Sequence, residues 1–166
     1  MHAAVLFEGF RGEVDAKILP SLSTLEGCLE VVNAAAQNFR FVPEASWLVM
    51  APVDSPQEEF PCAAIQVMAT ETHGVVRIQN VAVLHEHRGR RVGRALVIRA
   101  LRSCRQLGFR RVQLEVTATN RVAASLYRSL GFRIRRSYIS SRADCSEPET
   151  NERSADRSLS GRTAIR

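Results

Sequence analysis

The stretch His85–Leu96, HEHRGRRVGRAL, sets Arg88, Gly89, Arg90, Arg91 and Gly93 between an apolar run and a helical pattern. A strand–turn–helix junction of this composition aims backbone N–H groups and a helix N-terminus at one point, and a phosphate is the group that suits such a point. Further on, Glu115 interrupts the apolar pattern of RRVQLEVT, residues 110–117. It reads either as a general base or as a solvent-facing carboxylate paired with an arginine, since a base must lie within hydrogen-bond reach of its proton. Gln79, His85 and His87 are lesser candidates for proton transfer. The cysteines, Cys28, Cys62, Cys104 and Cys145, show no CxxC and no zinc spacing, so no metal is expected. Three of them sit in apolar patterns, where a free thiol is a small buried hydrophobe.

The elements that must position these residues follow from periodicity and breakers. Residues 5–7 (VLF) read as a short strand, because Gly9, Gly12 and Pro20 break anything longer. Ser23-Thr24-Leu25-Glu26 fits a capping box opening a helix over 24–37. Pro43 keeps 38–45 a connector. Trp47–Met50 is a strand closed by Pro52, and 54–61 is a polar loop. Cys62–Ala69 and Val75–Val83 make an antiparallel hairpin across Thr72-His73-Gly74. The second strand changes parity between Val76/Ile78 and Val81/Val83. A β-bulge near Gln79-Asn80 resolves this, as does a strand buried on both faces.

After the arginine turn, Ala95, Leu96, Ala100, Cys104 and Leu107 form a helical stripe that Gly108 ends. The strand 110–117 follows, so the unit is a right-handed βαβ crossover with parallel strands. Thr119-Asn120 caps a helix over 121–130 with Val122, Ala123, Leu126, Tyr127 and Leu130 on one face, stopped by Gly131. Residues 132–139 are a strand. From Ser140 the chain has hardly an apolar residue, so 140–166 is expected to be a disordered tail behind one domain over 1–139.

The 166 residues, 45% hydrophobic and 24% charged, suit one globular domain. No apolar run spans a bilayer, and the start is too soon charged for a secretory signal, which points to a cytoplasmic protein. The net charge of +6 includes nine arginines between His87 and Leu114 with no acidic residue among them. That block raises nucleic acid as a partner, but no aromatic platform interleaves it, as single-strand binding would need. A Walker lysine and a full G-x-G-x-x-G are both missing.

NVAVLHEHRGRRVGRAL, then LEVTATN, then NRVAASLYRSLGF together resemble the GNAT superfamily of acyl-CoA-dependent N-acetyltransferases. Arg88 and Gly93 match the ends of its [Q/R]-x-x-G-x-[G/A] motif, and Asn120, Tyr127, Gly131 and Phe132 match its second spacing. The resemblance is close over 62–139 and holds only in layout before that. It implies an α/β (α+β) fold: a mixed, mostly antiparallel central sheet with flanking helices and one βαβ crossover.

The activity it implies is acetyl transfer from acetyl-CoA, the co-substrate, to an amine by direct attack in a ternary complex. A protein N-terminus, a small amine and an antibiotic all remain open as acceptors. Backbone groups of Val81, Ala82 and Val83 would run beside the pantetheine arm. Gly89, Arg90, Arg91, Val92, Gly93 and Arg94, with Arg88 and Asn120, would complete the cofactor site. Glu115 would be the base, as in the ribosomal-protein alanine acetyltransferases whose LEV-x-x-x-N run it resembles, and Tyr127 the acid for the departing thiolate.

Two departures stand out. Arg91 replaces the family's middle glycine, and one strand rather than two follows Gly131-Phe132. The acceptor side is then either open or completed by a second subunit, as in a homodimer. The rival within the fold is a non-catalytic acyl-CoA- or protein-binding module, against which Glu115 and Tyr127 both speak.

Overall fold

The computed structural model of the chain describes residues 1–52, 58–139 and 161–165. Helices α1 (His2–Phe10), α2 (Val14–Ile18) and α3 (Leu25–Ala36) come first, followed by strands β1 (Trp47–Pro52), β2 (Glu59–Ala69) and β3 (Val75–Val83). Helix α4 (Val92–Gln106), strand β4 (Arg111–Thr117), helix α5 (Arg121–Ser129) and strands β5 (Ile134–Ile139) and β6 (Gly161–Ile165) complete the order. The strands make one sheet, β1-β2-β3-β4-β6-β5. Every neighbouring pair is antiparallel except β3 with β4, the pair that α4 connects. This is the mixed, mostly antiparallel sheet with one βαβ crossover that the sequence predicts.

Helices cover both faces. On one, Leu96, Val97, Ala100 and Cys104 of α4 and Ala124 and Tyr127 of α5 pack on Ile65, Val76, Ile78 and Leu114. On the other, Val5 and Leu6 of α1 and Cys28 of α3 pack on Ala64, Ala82 and Leu84. The sequence stripe on α4 included Ala95 and Leu107, and both are exposed. At about 100° per residue, Ala95 falls opposite the stripe centred on Leu96, Val97 and Ala100, and Leu107 lies past the last helical residue. On α5, Val122 is likewise outside the core at 86% exposure.

The first strand expected, at 5–7, is instead part of helix α1. Gly9 does not break it; a Cβ there would lie 2.9 Å from Ala82 Cβ, so glycine is what lets the helix lie against β3. The cap of α3 also moves by one residue. Thr24 Oγ1 accepts from Gly27 N–H at 3.1 Å, while the Ser23 hydroxyl donates back to the Pro20 carbonyl at 2.6 Å.

The parity fault in β3 is a bulge. Gln66 pairs with Asn80 and Val67 with Ile78, leaving Gln79 as the extra residue. Val76, Ile78, Val81 and Val83 can therefore all meet the α4–α5 core.

The chain's end departs from expectation. Gly161–Ile165, placed by its polar context in a disordered tail, is β6, held between β4 and β5. Two strands therefore follow Phe132, not one, and that side of the sheet is completed from within the chain. With only Ala164 and Ile165 apolar, the segment carries no alternation to read; pairing along both edges defines it. The rest of the expected tail, 140–160 and 166, with Cys145, lies outside the described residues, as do 53–57 of the loop before β2.

Candidate active site

The site begins where β3 and β4 part. They pair only from Val75↔Arg111 to Ile78↔Leu114, after which β4 continues on β6 and β3 on β2. The separation starts at the Gln79 bulge. Leu84 N–H donates to the Cys62 carbonyl at 2.9 Å. By the two-residue alternation of an antiparallel ladder, Ala82 and Asn80 also bond towards β2, while Val81 and Val83 turn their backbone groups to the open side. Of the three residues predicted to run beside a pantetheine arm, Val81 and Val83 face the cleft and Ala82 does not. Asn80 is held by its own side chain, whose Nδ2 donates to buried Gln66 at 2.7 Å.

The arginine turn closes one end of the cleft. Gly89 (φ 73°) and Arg91 (φ 63°) are both left-handed, and Arg91 is the N-cap of α4 with no side-chain cap bond. The first amides of α4 are thus open to an outside acceptor. This geometry explains why glycine suits the position of Arg91: a side chain in that region costs on the order of 1–2 kcal/mol.

The turn's arginines do not act together. The Arg88 guanidinium is committed within the protein, donating to the Val83 carbonyl (3.1 Å), the Gly9 carbonyl (2.6 Å) and the Glu13 carboxylate. It ties the turn to the α1–α2 elbow, which takes three of its five N–H donors. Arg94 donates to Ser129 Oγ at 2.8 Å, joining α4 to α5. Arg90 and Arg91 line a separate groove against β1, beside Arg99 stacked 4.4 Å over the Trp47 ring.

At the splay lies a cavity of about 310 Å³ whose walls include Asp15, Gln79, Val81, Glu115, Asn120 and Tyr127. Sequence reasoning named five of these six. Glu115 and Tyr127 line the same cavity; His85 and His87 sit in the turn and do not line this space. Glu115 is half-buried on the β4 face turned towards α1–α3. Tyr127 is 8% exposed and meets Phe132 edge-to-face at 5.8 Å. Burial first, and the negative charge of Asp15 second, push its phenol well above the ordinary tyrosine range. Such a phenol stays protonated at physiological pH and can serve as a donor.

Asp15 is the residue that sequence reasoning missed. Its two oxygens accept from Thr117 Oγ1 and from Asn120 Nδ2, the latter at 2.7 Å. Asn120 in turn caps α5, its Oδ1 accepting from Ala123 N–H at 3.0 Å. A lone aspartate in VDAKI carries no motif; only its position against Thr117 and Asn120 makes it visible. Glu13 and Asp15, two residues apart, therefore bind the two motif regions that flank the cleft.

A family model described as "Acetyltransferase (GNAT) family" matches residues 29–132. The chain belongs to the GNAT acetyltransferase family. No curated protein matches it in sequence. Among solved structures, it is similar to the ribosomal-protein-alanine N-acetyltransferase from Brucella melitensis (13% identity, TM-score 0.65, covering 98% of this chain and 89% of that one). It is also similar to the ribosomal-protein-S18-alanine N-acetyltransferase from Escherichia coli (20%, 0.57, 82% and 74%). A Bacillus subtilis acetyltransferase in complex with CoA gives 18% identity and a TM-score of 0.57, covering 81% of each chain. At these identities the likeness is one of fold.

Proposed function

We propose that the chain transfers an acetyl group from acetyl-CoA to an amine by direct attack, with no covalent enzyme intermediate. The observation that carries this is the splay itself. One cavity joins the backbone of a bulged strand, a half-buried carboxylate and a protonated phenol. The co-substrate supplies a thioester whose C–S bond breaks as the new C–N bond forms. The residues fit it: Val81 and the N–H of Val83, whose carbonyl already accepts from Arg88, offer strand-like partners on the open side, and the uncapped start of α4 offers N–H groups and a dipole to a diphosphate.

In this reading Glu115, directly or through water, takes the proton that the attacking ammonium must lose. The Val81 N–H faces the developing oxyanion; one such donor is worth about 3 kcal/mol in other enzymes. Tyr127 gives its proton to the leaving thiolate. Asn120 serves the cofactor side by fixing the start of α5, and Arg88 by fixing the turn, rather than by direct contact. Arg90 and Arg91 contribute charge near the diphosphate. No helix among the described residues is long and apolar enough to cross a membrane, and a cytoplasmic setting accords with the need for acetyl-CoA.

Thermal unfolding with and without acetyl-CoA tests the binding step, since ligand at 100 times Kd adds about 2.7 kcal/mol. Tyr127→Phe tests the chemistry: kcat should fall while acetyl-CoA affinity holds. Unchanged turnover removes the acid from this mechanism.

A further inference from the structure

We propose that Arg77 selects acceptors carrying an anionic group beside the nucleophilic amine; this rests on the acetyl-transfer reading above. β3 is an interior strand, flanked by β2 and β4. On the face turned towards α1–α3, the helices bury Ala82 but leave Arg77 and Gln79 exposed, with Gln113 only half covered. An interior strand that keeps a cation uncovered by the helical layer presents a surface for something else to occupy.

That surface is the wall of a groove of about 720 Å³, lined by Val31, Ala35 and Asn38 from α3 and its end, by Thr72 from the β2–β3 turn and by Arg77 and Gln113 from the sheet. The groove shares Val31, Arg77 and Gln79 with the 310 Å³ reaction cavity. A molecule reaching Glu115 from this side therefore passes Arg77. The groove's other arginine, Arg40, is already paired with Glu71 at 3.2 Å. Arg77 makes no ion pair or hydrogen bond among the described residues. Its five N–H donors are available to a carboxylate or phosphate.

Register sets the spacing. Arg77 is level with Gln113, two residues before Glu115 on the same face of β4. Two residues of rise at about 3.3 Å and one strand spacing of about 4.8 Å set the two backbone positions about 8 Å apart, and the long, flexible Arg77 side chain lets it meet an anion about 5–7 Å from the amine. The side-chain carboxylate of the second residue of a peptide matches this separation, as does the far carboxylate of a short ω-amino acid. Opposite charges at the two ends orient the acceptor, with its amine at Glu115 and its anion at Arg77.

The test uses the full chain with acetyl-CoA and thiol-release detection on matched acceptor pairs. Peptides beginning Ala-Asp are compared with those beginning Ala-Asn, and 4-aminobutyrate with its amide; the two pairs separate a protein N-terminus from a small amine. We expect the acidic member of at least one pair to show about tenfold higher kcat/KM. The advantage should shrink with added salt and be lost in Arg77→Glu, whose melting temperature should match the parent protein's. Equal use of acid and amide, a ratio untouched by Arg77→Glu, or no thiol release with either acidic amine would overturn the proposal. Failure of acetyl-CoA to raise the melting temperature is a different result, and would remove the acetyl-transfer reading itself.

Discussion

Asp15→Asn is the substitution that best probes how the N-terminal helices govern the cleft. The carboxylate has two acceptor oxygens and faces two donors, Thr117 Oγ1 and Asn120 Nδ2. An amide at 15 keeps one acceptor and sets its NH₂ against a donor. If Asn120 turns its own amide to compensate, it gives up the Oδ1 bond to Ala123 N–H that caps α5, a loss of about 1 kcal/mol. If the new NH₂ faces Thr117 instead, that hydroxyl, 1% exposed, turns to accept it and its own proton loses its buried partner, at about 1–3 kcal/mol. The protein should therefore lose about 1–3 kcal/mol, a fall in melting temperature of about 2–12 °C for a domain of this size.

Turnover should fall as well. The Asp15–Asn120 link that fixes the start of the helix carrying Tyr127 is disturbed, so the phenol is less firmly positioned, while burial alone still keeps it protonated. The decisive assay is a double-mutant cycle on kcat with Tyr127→Phe. If Asp15 acts through Tyr127, the kcat loss from Asp15→Asn should vanish in the Tyr127→Phe background, while the loss in melting temperature persists. Additive losses in kcat, or a melting temperature within about 1 °C of the parent, would refute the reasoning.

Other outcomes follow from single groups. Arg91→Gly relieves a side chain held at φ 63° and should raise stability by about 1 kcal/mol. Because the backbone N–H groups of α4 remain, acetyl-CoA affinity by calorimetry should stay within a few-fold; a fall in melting temperature would contradict the strain. Burial pushes the Cys104 thiol up to about 11 from an ordinary 9.0. The folded state thus holds this proton more tightly than the unfolded one. The stability it contributes is full below pH 9 and is lost as pH rises through 11. Unfolding followed from pH 8 to 11 should show a shallower loss in Cys104→Ala than in the parent protein.

Local patterns stated much of the fold because they report short-range physics. The turn and caps around α4 and α5 are set by residues a few positions apart, as when Gly108 and Gly131 take positive φ past the helix ends. The parity change in β3 is likewise local, since alternation cannot cross from Ile78 to Val81 without the bulge at Gln79. Glu115 and Tyr127 were legible because an acidic residue in an apolar strand and a tyrosine at fixed spacing from Asn120 are both visible in one dimension.

What failed depends on partners distant in the chain. Helix α1 was read as a short strand because Gly9 breaks helices in isolation, and only Ala82 shows why it belongs there. Strand β6 has no pattern of its own and exists through β4 and β5. That Arg88 also binds Gly9, Glu13 and Val83 could not be read from its motif position. Read alone, the sequence carries the GNAT core, the turn that opens α4 and the two proton-transfer candidates, since periodicity, caps and motif spacing are nearest-neighbour quantities. The tertiary structure alone decided which donors remain free, where the cleft opens and that Asp15 belongs to it, because hydrogen-bond commitment and charge proximity are set by residues up to 105 positions apart.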